Sequence, residues 1–244
     1  MNPCSQFPRI FIHLLDLLYP RQCCECGNEI RDGDEQGLCW DCRADSLPLT
    51  PPWCECCGGV VAGRLDHAFV CADCTAHPPV YDRARSLYRY EGGVRTAIHA
   101  LKYRRDFSVI PDLSRLLLAG LDAHFPDAGE LTLVPVPLHR RRYRHRGFNQ
   151  GGELIRGMRR IRNDLNVWTG LRRIKNTETQ TRLSKAARRE NVRSAFALKK
   201  GEEVPKRVLV IDDVMTTGAT LDACSRILRR AGAEEINTLT LARG

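Results

Sequence analysis

Three things are missing from this 244-residue sequence, and each narrows what the chain can be. No apolar run is long enough to cross a membrane. The best stretch, IFIHLLDLL at residues 10–18, is broken by His13 and Asp16 and stopped by Pro20. That is well short of the roughly 20 apolar residues a spanning helix needs. It reads as a short amphipathic helix packing on its own protein, within residues 1–20. The same segment lacks a basic leader and a small-residue cleavage site, so a cytoplasmic, reducing setting is expected. Also missing are GxxxxGK[ST] and GxGxxG, which removes P-loop and dinucleotide-binding readings. Finally, acid is scarce in one place. Residues 134–193 carry 17 Lys or Arg against 4 Asp or Glu, while the whole chain nets only +9. The remainder is therefore net acidic, and the positive charge is concentrated in one segment. Such a segment is either a solvated face or a surface for phosphates or nucleic acid.

What the chain has in excess is cysteine, unevenly placed. Of 12, eleven lie between Cys4 and Cys74, and Cys224 stands alone. Four CxxC pairs follow one another: Cys23/Cys26, Cys39/Cys42, Cys54/Cys57 and Cys71/Cys74. A CxxC turn aims two thiolates at one point, and two such turns supply the four-sulfur shell that zinc accepts. Four in tandem do not resemble a redox CxxC, which occurs singly beside a strand and helix. Pairing in sequence order makes two zinc ribbons across residues 21–79, divided at Thr50-Pro51-Pro52. Interleaved pairing is the alternative, and either Cys24 or Cys56 is placed to swap in as a ligand. A closed four-sulfur site leaves no position for a reactive water, so its role is structural. Cys4 and Cys224 read as plain small residues.

From residue 80 to residue 244 strands and helices alternate. Strands are expected at 83–91, 131–136, 208–211 and 236–241, and helices at 94–103, 113–124, 149–162 and 220–230. Residues 172–193 have little apolar periodicity and read as a polar loop. The pattern implies an α/β domain with a mostly parallel, doubly wound sheet, and ligands in such sheets bind where strands deliver their carboxyl ends.

One such end reads VLVIDDVMTTGAT, residues 208–220. Four aliphatic residues run into Asp212 and Asp213, adjacent carboxylates that repel unless donors or positive charge meet them. A ribose diol offers two hydroxyl donors, and a magnesium ion with its waters offers charge. Thr216, Thr217, Gly218, Ala219 and Thr220 then lead into a helix N-terminus, where converging amides and the helix dipole favour a phosphate. An acidic Walker B strand fits the aliphatic run, but its P-loop is missing; a receiver-like pocket leaves the threonines unexplained.

At these residues the chain resembles type I phosphoribosyltransferases, whose motif for phosphoribosyl diphosphate (PRPP) is an aliphatic strand, two acidic residues and a Thr-Gly loop. More closely, it is similar to the ComF family, also known as competence protein F or GntX-like. The resemblance extends to the double zinc ribbon, LKYRRD at 101–106, VPVPLHRRRYRHRGFNQ at 134–150 and LRRIKNTETQTRLSKAARRENVRSAF at 171–196. It implies magnesium-dependent PRPP binding by Asp212, Asp213, Val214, Met215, Thr216, Thr217, Gly218, Ala219 and Thr220, with the Asp pair catalytic. Val136 and Pro137 would belong to the loop that meets pyrophosphate, with Arg146 among the arginines neutralising it. Arg173, Thr177, Gln180, Arg188 and Asn191 would belong to a lid that closes over PRPP. Purine-salvage relatives carry an acidic residue where this chain has Thr216, and the sequence ends at Gly244 with no hood for a base, so the acceptor is not readable. The family also implies a role in natural transformation, with imported single-stranded DNA and DNA-uptake proteins as partners. Arg141, Arg142, Tyr143 and Arg144 are the candidates for nucleic-acid contact, Tyr143 and Phe148 for stacking on bases. The other reading is an enzyme of nucleotide or small-molecule metabolism.

Overall fold

The aliphatic run of residues 208–211 is completely buried, which places its strand in the middle of a sheet covered on both faces. The computed structural model describes residues 20–30, 36–65, 67–177, 192 and 194–244; the helix expected at residues 10–18 lies outside them. β1 (Arg83–Arg89), β2 (Thr132–Pro135), β3 (Asn166–Val167), β6 (Arg207–Met215) and β7 (Glu235–Arg243) form one sheet in the order β1-β7-β6-β2-β3. All its pairings are parallel. β4 (Leu171–Arg173) and β5 (Phe196–Leu198) make a separate antiparallel pair. Arg172 and Arg173 thus sit on a strand rather than in the expected loop.

Alternation along β6 divides the core. Leu209 and Ile211 pack with Val94 and Ile98 of α3 (Gly92–His99), Leu113 and Leu117 of α4 (Ile110–His124) and Leu154 and Met158 of α6 (Gln150–Ile161). Val208 and Val210 pack on the other face with Leu221, Cys224 and Leu228 of α7 (Ala219–Arg230). The period of two thus feeds both layers of a doubly wound fold.

Three elements differ from expectation in ways that matter for the site. β6 does not stop at Ile211 but runs on through both aspartates to Met215. α3 ends at His99, and the chain continues as a wide π-helical turn, Ala100–Arg104, closed by Arg105 in the left-handed region. The arginine-rich stretch is itself a helix, α5 (Arg140–Arg146), stopped by Gly147.

The Cys-rich front is docked on this domain. Asp112, in the first turn of α4, accepts from the backbone N–H groups of Gln36, Gly37 and Leu38, at 2.8 Å for Gly37. The second half lies against β1, where Ala84 N–H donates to Cys56 O (2.7 Å). Gly58 is required there: at its φ of +66° a Cβ would come within 2.6 Å of the Ala84 carbonyl oxygen.

Candidate metal centres and phosphoribosyl site

The eight paired cysteines assemble in sequence order. Cys23, Cys26, Cys39 and Cys42 bring their sulfurs within 4.8 Å of one another, and Cys54, Cys57, Cys71 and Cys74 do the same. The Cys26–Cys39 and Cys57–Cys71 sulfurs are 3.8 and 3.9 Å apart. A tetrahedron with zinc–sulfur bonds of about 2.3 Å has edges of roughly 3.8 Å, so both sets fit structural zinc. Each knuckle also turns N–H donors inward: Cys39 N–H to Cys23 Sγ (3.4 Å) and Cys71 N–H to Cys54 Sγ (3.3 Å). Burial raises the Cys23 and Cys54 thiols, but backbone N–H groups, of Cys26, Cys39 and Glu25 on Cys23 and of Cys71, Cys57 and Cys56 on Cys54, outweigh it and bring each down to about 7. Cys24 belongs to neither set, and burial pushes its thiol up to about 12; Cys56 is likewise outside and raised by burial. Interleaved pairing is therefore not what the fold builds. Cys4 lies outside the described residues, and Cys224 is buried in the layer between α7 and the sheet.

The puzzle of the adjacent carboxylates has a structural answer. Asp213 is buried and ion-paired with Lys102, Oδ1 to Nζ 2.9 Å. Burial works against the lysine's charge, but Asp213, with Asp212 behind it, outweighs that and raises its pKa. Lys102 comes from the π-helical turn, a geometry that recurs at functional sites. Asp212 has no ion-pair partner among the described residues: its carboxylate accepts the Asp213 N–H (2.9 Å), and burial followed by repulsion from Asp213 raises it to about 7. The two aspartates are thus unlike. One is neutralised by the fold, while the other keeps unspent acceptor capacity.

Beyond Asp213 come Val214, Met215, Thr216 and Thr217, then Gly218, which caps α7 with φ +74°. A Cβ at Gly218 would lie 2.8 Å from the Met215 methyl, and its left-handed turn favours glycine at this helix start, where the Ala219 N–H donates to Thr217 Oγ1 (3.4 Å). Val136 sits beside the same strand, its N–H donating to Ile211 O (3.0 Å) and its carbonyl accepting from Asn149 Nδ2 (2.8 Å). Asn149 Oδ1 also caps α6. Arg146 reaches the Tyr103 ring, 5.9 Å from its centroid, one residue from Lys102.

Arg173 lies over Phe196 and donates to the Thr177 hydroxyl; its Nε is buried with no partner among the described residues. The Thr177 carbonyl accepts from Arg142 (2.7 Å). Gln180, Arg188 and Asn191 lie outside the described residues. Next to Arg173 opens a cleft of about 890 Å³ whose walls include Pro137, Arg140, Tyr143, Arg172, Lys199 and Lys200. Tyr143 is half exposed there. Arg141 and Arg144 are exposed on α5 but do not line the cleft, and Phe148 is core, packed on Phe107 (centroids 4.9 Å apart). Arg142 is held to the chain following β4.

Lys102, paired with Asp213, is a residue of the candidate site that sequence patterning does not single out, although it stands in LKYRRD. The available signal is a lysine directly after the apolar face from Ile98 to Leu101. Its partner on β6 becomes visible only in the folded chain.

Comparison with known proteins agrees with this geometry. The double zinc ribbon domain matches residues 14–75, and the phosphoribosyl transferase domain matches residues 151–244. Competence protein F of Haemophilus influenzae is 33% identical over 227 residues, covering 91% of this chain and 96% of that one. DNA utilization protein YhgH of Escherichia coli (strain K12) is 31% identical over 231 residues, covering 85% and 97%. Competence protein ComFC of Streptococcus pneumoniae is 27% identical over 213 residues, covering 86% and 89%. Two four-cysteine knuckle sites fused to a parallel sheet, with relatives aligned over nearly their full length, leave one assignment: the chain belongs to the ComF family of competence and DNA utilization proteins, with a double zinc ribbon and a phosphoribosyltransferase domain.

Proposed function

We propose that the chain binds PRPP or a related 5′-phosphoribosyl group and uses that site in the handling of imported single-stranded DNA in the cytoplasm. The observation that carries the phosphoribosyl part is that Asp212, with no ion-pair partner among the described residues, stands just before a loop that turns at Gly218 into the start of α7. Asp212 and Asp213 accept the ribose hydroxyls, and Thr216, Thr217, Gly218, Ala219 and Thr220 hold the 5′-phosphate. Val136, Pro137 and Arg146 face the diphosphate, and Arg173 supplies a donor that nothing among the described residues uses. A magnesium ion fits this oxygen-rich set and would supply charge to the diphosphate when bound. The second reading, magnesium-dependent transfer to an unidentified acceptor, rests on the same pocket and differs only in the step after binding.

The nucleic-acid part is supported by the cleft beside Arg173 and by the names of the relatives, which speak of competence and DNA utilization. Arg140, Tyr143, Lys199 and Lys200 all lie on its walls, Tyr143 offering a stacking surface. Arg141 and Arg144 extend the same positive helix. Binding of a single strand through Z phosphates weakens with salt at a log–log slope of about −0.7Z. Replacing Arg140, Lys199 and Lys200 by Gln is expected to flatten that slope by about 2 units. Tyr143→Ala is expected to lower affinity at every salt concentration, by ~1–3 kcal/mol. Titration of an oligonucleotide against wild type and both variants at several salt concentrations separates the terms. No binding by wild type at low salt removes the DNA reading and leaves the small-molecule transferase.

A further inference from the structure

We propose that the second four-cysteine site governs the shape of the phosphate loop, residues 215–219, with Arg243 as the positioning residue between them. The proposal rests on the reading of that loop as the phosphate cradle.

Arg243 ends β7, in register with Met215 at the end of β6. Its side chain turns away from the sheet toward the ribbon. Nη1 donates to the Cys57 carbonyl (2.6 Å) and lies 3.4 Å from the Met215 sulfur, while Nη2 is 3.6 Å from the Cys57 sulfur. One guanidinium therefore touches a cysteine of the second cluster and the first residue of the loop. Met215 in turn sits under Gly218, its methyl filling the space a Cβ would need, with the buried Tyr81 hydroxyl 3.2 Å from the same point. A second tether runs from the ribbon's exit, where Val80 N–H donates to Asp222 in the first turn of α7 (2.7 Å). Both ends of the cradle are thus held from the ribbon side.

Between these tethers the packing is open. A cavity of about 280 Å³ is bounded by Cys57, Cys74 and Tyr81 on one side and Thr217, Gly218 and Arg226 on the other. Close-packed interiors transmit small shifts rigidly, but a gap lets one wall relax when its support is lost. Four thiolates around zinc would fix Cys57 and attract the guanidinium by charge-assisted contact. Without metal, Cys57 has no fixed vertex, and Arg243 loses the anchor that sets Met215. Among the described residues the first four-cysteine site has no such bond to residues 215–219; it docks on α4 through Asp112 and on the π-helical turn, where Arg104 donates to the Cys24 carbonyl (3.3 Å). It is therefore an internal control.

The test is hydrogen exchange of the amides at 215–221 in the full chain, with zinc content measured for each protein. Arg243→Met is expected to keep two zinc ions and to speed loop exchange roughly tenfold, the scale of one lost charge-assisted contact. Cys71→Ala is expected to lose one zinc and reproduce that effect, Cys26→Ala to lose one zinc without it, and Arg243→Lys to fall between. Core amides at 209–211 are expected to stay protected in all four. Wild-type loop exchange in two-zinc Arg243→Met, or equal effects of Cys71→Ala and Cys26→Ala, would overturn the proposal. In parallel, ribose 5-phosphate affinity measured by calorimetry is expected to fall in Arg243→Met with the loop. If wild type binds no ribose 5-phosphate, the phosphate-cradle reading fails, and the exchange comparison still decides the coupling.

Discussion

With asparagine at both 212 and 213, binding of PRPP is expected to vanish while the sheet stays folded. Each carboxylate lost as an acceptor of a ribose hydroxyl removes a charged hydrogen bond of ~1.5–3 kcal/mol, so together they account for roughly a hundredfold or more in affinity. Calorimetry on the double variant is the measurement, and unchanged affinity would move the ligand to another pocket. The single variants are expected to part company in stability. Asp213→Asn strands the half-buried Lys102 ammonium without its partner, which is destabilising. Asp212→Asn removes repulsion and is stabilising near neutral pH.

That second effect has a pH signature. The Asp212 carboxyl is raised from 3.8 to about 7 by burial and by Asp213. A carboxyl raised in the folded state binds its proton more tightly there than when unfolded. Its contribution to stability is present in full below pH 3.8 and lost as pH rises through about 7. The melting temperatures of wild type and Asp212→Asn are therefore expected to converge near pH 4 and to separate by pH 8, with the variant higher. Parallel curves across that window would show that Asp212 carries no raised pKa.

Removing zinc is expected to unfold the ribbons and weaken the rest without dissolving it. Structural zinc contributes ~10–16 kcal/mol of apparent binding energy in zinc-finger peptides, far more than a small loop-rich module gains from its own packing. The helices inside the ribbons, α1 (Trp40–Ala44) and α2 (Ala72–Ala76), are one turn each and do not persist alone. The sheet has its own two-sided core and is expected to survive. It would do so at reduced melting temperature, because Asp112 would lose the three amide donors of residues 36–38. Metal analysis should return two zinc ions per folded chain. Limited proteolysis after chelation should trim the front and leave a resistant fragment starting near residue 80. One zinc per folded chain, or loss of the sheet together with the ribbons, would contradict the arrangement.

The zinc sites were legible because CxxC is a local geometry: two ligands per turn are set by four consecutive residues. Pairing in sequence order was legible too, because each half repeats a complete zinc-site spacing, and the chain reversals between residues 26 and 39 and between 57 and 71 carry it out. The sheet was legible for a related reason. An uninterrupted aliphatic run such as 208–211 has no polar face to offer solvent, so it must be central. The limits of elements were less legible. β6 continues through two aspartates because backbone pairing with β7 holds them, and no propensity rule predicts a strand there. The helix in residues 140–146 was hidden by its charge, which gives no apolar face to detect.

By itself, then, the sequence determined the chemistry available: eight thiolates in two repeated frames, a carboxylate pair on a buried strand, a glycine at a helix start and a dense block of arginine. These come from residue identity and spacing over a few positions. Only the tertiary structure decided how that chemistry is partitioned. Lys102 and Asp213 are 111 positions apart, and Cys57 and Arg243 are 186 apart. Contacts at such separations are made by the packing of whole layers, where a parallel sheet brings distant strand ends to one edge. That is why one aspartate is ion-paired and its neighbour, among the described residues, is not, and why the second zinc ribbon rests against the loop that starts α7.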